Sequence, residues 1–120
     1  MYHFARSVVD AGADIVLGHG PHVTRAVEVY KNKFIAYSLG NFNTYGRFSL
    51  TGDKGIAPLL DIKLKSNGDF LSAKVVSVKQ TKEKGLELDA ENRAFQRIKQ
   101  LTKLDFPEQN LKFEENTIKL

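Results

Sequence analysis

Apolar residues along the chain change their spacing from one segment to the next, which predicts both helices and strands. Four apolar residues at helical spacing predict a first helix over residues 2–11, and Gly12 is suited to end it in a left-handed conformation. Residues 15–17 are all apolar and stop at Gly18, which is typical of a strand that is buried on both faces and ends at a loop.

Two pairs of β-rich runs follow, and each pair predicts a hairpin. Residues 26–30 and 34–39 flank a short polar connection, and residues 59–65 and 71–78 flank a Ser-Asn-Gly-Asp turn signal. Between the hairpins, residues 43–55 mix polar residues and glycines with isolated aromatics, so we predict a long loop of the kind that often lines a site.

A second apolar stripe predicts a helix over residues 90–103, with Asp89 as its N-cap and Pro107 beyond its end. The pattern assigns no structure to residues 108–120. We therefore expect one α/β (α+β) unit over residues 1–107, with two hairpins and a helix at each end, followed by a tail.

Composition and charge narrow the function classes. With 42% hydrophobic and 27% charged residues, the composition is typical of a soluble globular protein. A length of 120 residues is enough for one domain with a single hydrophobic core. The net charge of +4 is spread evenly, so no basic block indicates binding to nucleic acid. The chain has no cysteine, which excludes thiolate ligands and a cysteine nucleophile. No apolar run approaches the ~20 residues that span a bilayer.

The chemistry-bearing segment is GHGPH at residues 18–22, directly after the predicted buried strand. A strand end is rigid, glycine lets the backbone approach an ion, and proline restricts the turn, so His19 and His22 suit a site for zinc, manganese, iron or nickel. By spacing alone the pair is a weak signal and is also compatible with ordinary loop histidines, because two ligands do not complete a site. The third histidine, His3, is expected on the polar side of the first helix, as a surface residue.

Three motifs in order resemble the capsule-synthesis CapA family, the bacterial poly-γ-glutamate capsule proteins related to calcineurin-like metallophosphoesterases. They are GADIVLGHGPH at residues 12–22, EVYKNK at 28–33 and YSLGNF at 37–42. The resemblance implies the C-terminal half of a four-layer αββα sandwich with a two-metal site of Mn, Zn or Fe at the strand ends. His19 and His22 match the family's late metal ligands.

The resemblance also suggests substrate-binding residues, while the catalytic residues stay unknown. Asn41 lies in the third motif and either faces the same pocket or stabilises a turn. Arg25 and Arg47 either meet an anionic substrate, such as a phosphate or a glutamate carboxylate, or are solvated surface groups.

The family's earlier motifs, with their aspartate, asparagine and histidine ligands, have no counterpart in this chain. The resemblance therefore implies an incomplete metal site with no tightly bound ion and a chain that is inactive alone. The expected partners are the upstream half of the same domain and capsule-synthesis membrane proteins. A half-sandwich would leave sheet edges open, so we also expect self-association.

The resulting hypothesis is a fragment of a metal-dependent hydrolase-type protein of capsule or poly-γ-glutamate biosynthesis, located in the bacterial cell envelope, extracytoplasmic or membrane-associated, with this chain itself soluble. One alternative is a non-catalytic scaffolding module of an envelope complex with a degenerate metal site. Another is a small α+β interaction domain with no ancestral site, which requires the motif matches to be accidental.

Overall fold

The structure, a computed structural model, describes residues 2–20, 23–41 and 52–120, without the side chain of Asp53. This part of the chain contains two α-helices, Tyr2–Asp10 (α1) and Arg93–Asp105 (α2), and a 3-10 turn at Gly52–Gly55. It also contains eight strands: Ile15–Leu17 (β1), Val27–Tyr30 (β2), Lys33–Ala36 (β3), Ile56–Leu64 (β4), Phe70–Thr81 (β5), Gly85–Leu88 (β6), Lys112–Glu114 (β7) and Thr117–Lys119 (β8). The mixed α/β class predicted from the sequence is confirmed.

The first sheet has the strand order β1-β3-β2, with β1 parallel to β3 and β2 antiparallel to it. The β2–β3 hairpin turns through Lys31 and Asn32, whose φ angles are 51° and 67°. Two consecutive positive φ angles define a type I′ turn, which matches the twist of the strands it joins. The first predicted hairpin is confirmed, with a two-residue connection.

The second sheet has the order β4-β5-β8-β7, and β6 also pairs with β5. Its β4–β5 hairpin confirms the second predicted hairpin, and Gly68 in the turn has a φ of 90°. The segment for which the pattern assigned no structure contains the β7–β8 hairpin, which turns through Glu115 and Asn116. Strand β8 pairs with β5, and Ile118 is fully buried.

The core lies on both faces of the first sheet because β3 alternates its side chains between them. Phe34 and Ala36 face the second sheet and α2, and the Phe34 ring stacks on Phe70 with 4.8 Å between the centroids. Ile35 faces the other way, toward α1. The helix α1 ends as predicted, since Gly12 has a φ of 118° and the amide of Ala13 donates to the carbonyl of Val8.

Two local predictions are corrected. β1 is an edge strand of the described sheet rather than a strand buried on both faces, and Leu17 is 47% exposed. The cap of α2 is Asn92 in a left-handed conformation, not Asp89. Asp89 still stabilises the helix start, because its Oδ2 accepts the backbone N–H of Arg93 at 2.9 Å.

The outer strand edges of the two sheets differ in whether their backbone groups have hydrogen-bond partners. On the outer edge of β2, the amide of Val27 donates to Thr102 Oγ1 at 3.0 Å and the amide of Val29 donates to Gln109 Oε1 at 2.9 Å. No described strand pairs with the outer edges of β1 and β4. One side of the molecule is therefore closed by α2 and the segment after it, and the strands at the other side keep unpaired backbone groups.

Candidate functional site

Gly18 follows β1 directly, extends its pairing with β3 and the segment after it, and precedes His19. The amide of Gly18 donates to the carbonyl of Ala36 at 2.8 Å, and the carbonyl of Gly18 accepts the amide of Leu39 at 2.8 Å. A Cβ atom at position 18 would lie 2.5 Å from the carbonyl oxygen of Tyr37. This close approach requires glycine and fixes the backbone immediately before His19.

The side chain of His19 is exposed and lines a cavity of about 240 Å³. The rest of the lining is mainly apolar and comes from the end of β1, Leu39 and strand β4, including Leu17, Leu59 and Leu60. The cavity therefore lies between the two strands whose outer edges are unpaired in the described structure.

The described residues do not by themselves make a metal site. His22, the second predicted ligand, lies outside them, and in the described ranges no group of three or more His, Asp or Glu side chains could hold an ion. A zinc or manganese site needs at least three protein ligands or several bound waters. The described structure thus offers one imidazole at this position.

Asn41 is buried, with 3% of its surface exposed, and its Nδ2 donates to the carbonyl of Lys54 at 3.2 Å. It follows Gly40, which has a φ of 71° and lies against Thr24 and Ile56. The side chain therefore connects the segment after β3 to the turn before β4. A contact of Asn41 with substrate stays a prediction.

The structure places Arg25 at a different cavity from His19. Arg25 is exposed and lines a cavity of about 420 Å³ together with Tyr2 and Tyr37, and no residue is shared between this lining and that of the His19 cavity. Arg47 and most of the predicted loop lie outside the described residues. His3 is exposed, as predicted.

The sequence interpretation missed a buried charge network beside the Arg25 cavity. Glu28 is fully enclosed; Arg6 donates to it through Nε at 3.2 Å and through Nη2, and the hydroxyl of Tyr37 donates to its Oε1 at 2.8 Å. The hydrogen bond to Glu28 raises the pKa of Arg6, and burial together with the same carboxylate raises the pKa of Tyr37. A lone glutamate within the apolar run of β2 was the available signal.

Part of the chain is similar to known proteins. Residues 2–45 match the family model described as bacterial capsule synthesis protein PGA_cap. The chain therefore carries a segment that is similar to the CapA capsule-synthesis family, and residues 2–45 are called the CapA segment. Within this CapA segment lie α1, the whole first sheet and both candidate histidines.

Three relatives are similar to part of this chain. The capsule biosynthesis protein CapA of Bacillus anthracis is 45% identical over 64 residues, which are 53% of this chain and 15% of the relative. The PGA biosynthesis protein CapA of Bacillus subtilis is 47% identical over 64 residues, 53% of this chain and 16% of its own length. A probable polyglutamine synthesis accessory protein of Mycobacterium tuberculosis is 45% identical over 38 residues, 32% of this chain and 10% of its own length.

The chain therefore spans about one sixth or less of the length of these curated CapA-type relatives. Within the described residues, neither helix has the length and apolar character needed to cross a membrane.

Proposed function

We propose that this CapA segment takes part in the biosynthesis of bacterial capsule or poly-γ-glutamate in the cell envelope, as part of a metal-dependent hydrolase-type domain. In this proposal His19 and His22 are two ligands of a divalent-metal centre, and the other ligands come from outside the 120 residues. The family match and the names of the relatives support the role in capsule biosynthesis.

The observation that carries the metal proposal is the position of His19 between two open strand edges. Strand β1 ends directly before His19, and β4 lines the other side of the same cavity. Further strands pairing with β1 and β4 would extend both sheets and bring their own loops to this cavity. That extension would complete a four-layer αββα sandwich and add the missing ligands beside the imidazole.

The residues of this chain prepare the site for such a role. Gly18 holds the backbone before His19 against Tyr37, so the imidazole starts from a fixed strand end. The apolar lining from Leu17 and Leu59 would exclude water once the edges are covered. A bound divalent ion would supply Lewis acidity toward a phosphoryl oxygen and lower the pKa of a coordinated water.

The test uses a protein in which this chain is joined to the remaining part of a CapA-type domain. With Mn²⁺ or Zn²⁺ it should hydrolyse p-nitrophenyl phosphate, and His19→Ala and His22→Ala should each abolish hydrolysis. His3→Ala is the matched control, because His3 is an exposed histidine on α1, and it should leave the rate unchanged. Activity that survives His22→Ala would remove its proposed role.

The 120-residue chain tests whether the site is incomplete. Calorimetric titration with Zn²⁺ should show weak binding that His19→Ala and His22→Ala reduce, since most coordination positions are left to water. Sub-micromolar affinity of this chain for Zn²⁺ would contradict the proposed incomplete site.

A non-catalytic scaffolding module is the second candidate, and one observation favours it: the described ranges contain no group of three or more side chains that could hold a metal ion. Under this reading the joined protein neither hydrolyses p-nitrophenyl phosphate nor binds Zn²⁺ through His19, yet capsule production still requires the segment. A capsule assay in cells carrying His19→Ala with His22→Ala separates the two, because only the hydrolase loses production.

A further inference from the structure

The cavity beside Arg25 is not used by the proposed metal centre. It measures about 420 Å³, within the size range of small-molecule sites, and its lining includes Tyr2, Arg25, Tyr37, Asp105, Phe106 and Glu108. The aromatic rings stack: Phe106 lies 5.7 Å from Tyr2 and 5.6 Å from Tyr37 between centroids, with interplanar angles of 15° and 18°. This stack gives the cavity a rigid aromatic wall.

Three charged side chains of the cavity lining have no partner in the described part of the chain. Arg25, Asp105 and Glu108 are exposed, and none of them takes part in an ion pair or a side-chain hydrogen bond there. The cavity therefore presents one cation and two carboxylates to a ligand.

Neighbouring charges elsewhere in the fold pair with each other. Lys33 Nζ lies 3.1 Å from Asp14 Oδ1 and 3.0 Å from Asp69 Oδ1, so one lysine satisfies two carboxylates. Arg6 is paired with Glu28 directly behind the aromatic wall and lies over the ring of Tyr2, with 4.1 Å from its Cζ to the ring centroid. Arg25, Asp105 and Glu108 differ from these paired residues because no ion pair in the described structure neutralises them, so they can pair with a ligand.

We infer that this cavity binds a small zwitterion, an α-amino acid or a short peptide with free ends. The ammonium group of the ligand pairs with Asp105 and Glu108, and its carboxylate pairs with the guanidinium of Arg25. The carbon skeleton lies against the rings of Tyr2 and Phe106. Because the His19 cavity shares no lining residue with this one, the inference does not depend on the proposed metal centre.

The probe is L-alanyl-L-alanine, added to the ¹⁵N-labelled 120-residue chain and followed by amide chemical shifts. We expect saturable shifts at Arg25, Asp105 and Glu108. The N-acetyl form of the dipeptide lacks the ammonium and the C-terminal amide form lacks the carboxylate. Each should bind about tenfold more weakly, because each loses one charge-assisted interaction.

Variants assign each charge to one end of the ligand. Arg25→Gln should weaken binding of the dipeptide about tenfold and leave binding of its amide form unchanged. Asp105→Asn combined with Glu108→Gln should weaken the dipeptide and leave the N-acetyl form unchanged. Asp61→Asn is the control, since Asp61 is an exposed carboxylate on β4 that is absent from the cavity lining. His19→Ala should also leave dipeptide binding intact, which separates this inference from the metal proposal.

Three results would overturn the inference. The first is an absence of saturable shifts with the dipeptide, and the second is equal binding of the blocked forms. The third is tighter binding of inorganic phosphate than of the dipeptide, because that would make the cavity an anion site that Arg25 alone accounts for.

Discussion

The guanidinium of Arg6 on α1 pairs with the carboxylate of Glu28 on β2, and the Glu28 side chain has no exposed surface while that of Arg6 is 26% exposed. The helix is thereby attached to the first sheet through an ion pair with one buried and one partly solvated member. Because the two partners differ in exposure, removing one should lower the free energy of unfolding by a different amount from removing the other.

Arg6→Met should destabilise the fold by about 3–5 kcal/mol, because it leaves the Glu28 carboxylate buried with only the Tyr37 hydroxyl as partner. Glu28→Gln should cost less, about 1–2 kcal/mol, because Arg6 can reach water and the amide oxygen can still accept a hydrogen bond. Urea unfolding of both variants measures the difference. Lys31→Met, which removes an exposed pair with Asp10, is the control and should change little. Equal losses for the first two variants would show that burial of Glu28 is not the deciding factor.

The stability of the protein should fall at alkaline pH partly through Tyr37. Burial and the neighbouring Glu28 raise the pKa of Tyr37 in the folded state, whereas an unfolded tyrosine has a pKa of about 10. Unfolding above about pH 10 therefore releases a proton, and the free energy of unfolding decreases as pH rises, by at most about 1.4 kcal/mol per pH unit for this group. Below about pH 10 Tyr37 is protonated in both states, and its full contribution to the free energy of unfolding is present.

Tyr37→Phe should make this alkaline decrease shallower, as measured by urea unfolding at a series of pH values. The pKa values of Lys31 and Lys33 are also raised by their carboxylate partners, and those lysines remain in both proteins, so the difference between the two curves isolates Tyr37. Identical slopes for wild type and Tyr37→Phe would contradict the assignment.

Gly18→Ala should destabilise the strand end that carries His19. The new Cβ would meet the carbonyl oxygen of Tyr37 at 2.5 Å, so the backbone must shift, at a cost of about 1–3 kcal/mol. Gly20→Ala is the matched control, because a Cβ at position 20 meets no atom of the described residues within 4 Å. Thermal unfolding compares the two, and the Zn²⁺ titration of Gly18→Ala shows whether His19 has moved. Equal melting temperatures for the two variants would rule out the steric role of position 18.

The open side of the two sheets should make the isolated chain self-associate. Leu17 at the end of β1 is 47% exposed and Leu59 on β4 is 51% exposed, beside unpaired strand edges in the described structure. Leu17→Lys combined with Leu59→Lys should shift the chain toward monomer in sedimentation velocity, because charge on an edge disfavours strand pairing. Leu104→Lys on α2 is the control, since Leu104 is 70% exposed but lies on a helix. A wild-type chain that stays monomeric at high concentration would contradict the prediction.

The sequence alone determined the elements whose geometry is local. Gly12 ends α1 because glycine accepts a φ of 118°, and the β4–β5 turn forms where Gly68 accepts 90°. The apolar face of α2 was also predicted from the sequence, since Ala94, Phe95 and Ile98 are buried as their spacing indicates. These features depend on residues a few positions apart, so the pattern is sufficient to find them.

Only the tertiary structure decided the features that depend on partners distant in sequence. Burial of Glu28 depends on Arg6 from α1, and the exposure of Leu17 depends on which strands lie beside β1. The sequence indicated His19 as a candidate ligand at a strand end, but it could not separate His19 from Arg25, because the two cavities are formed by side chains brought together from different elements. Non-local pairing sets which edges are closed and which charges meet, and no spacing along the chain encodes it directly.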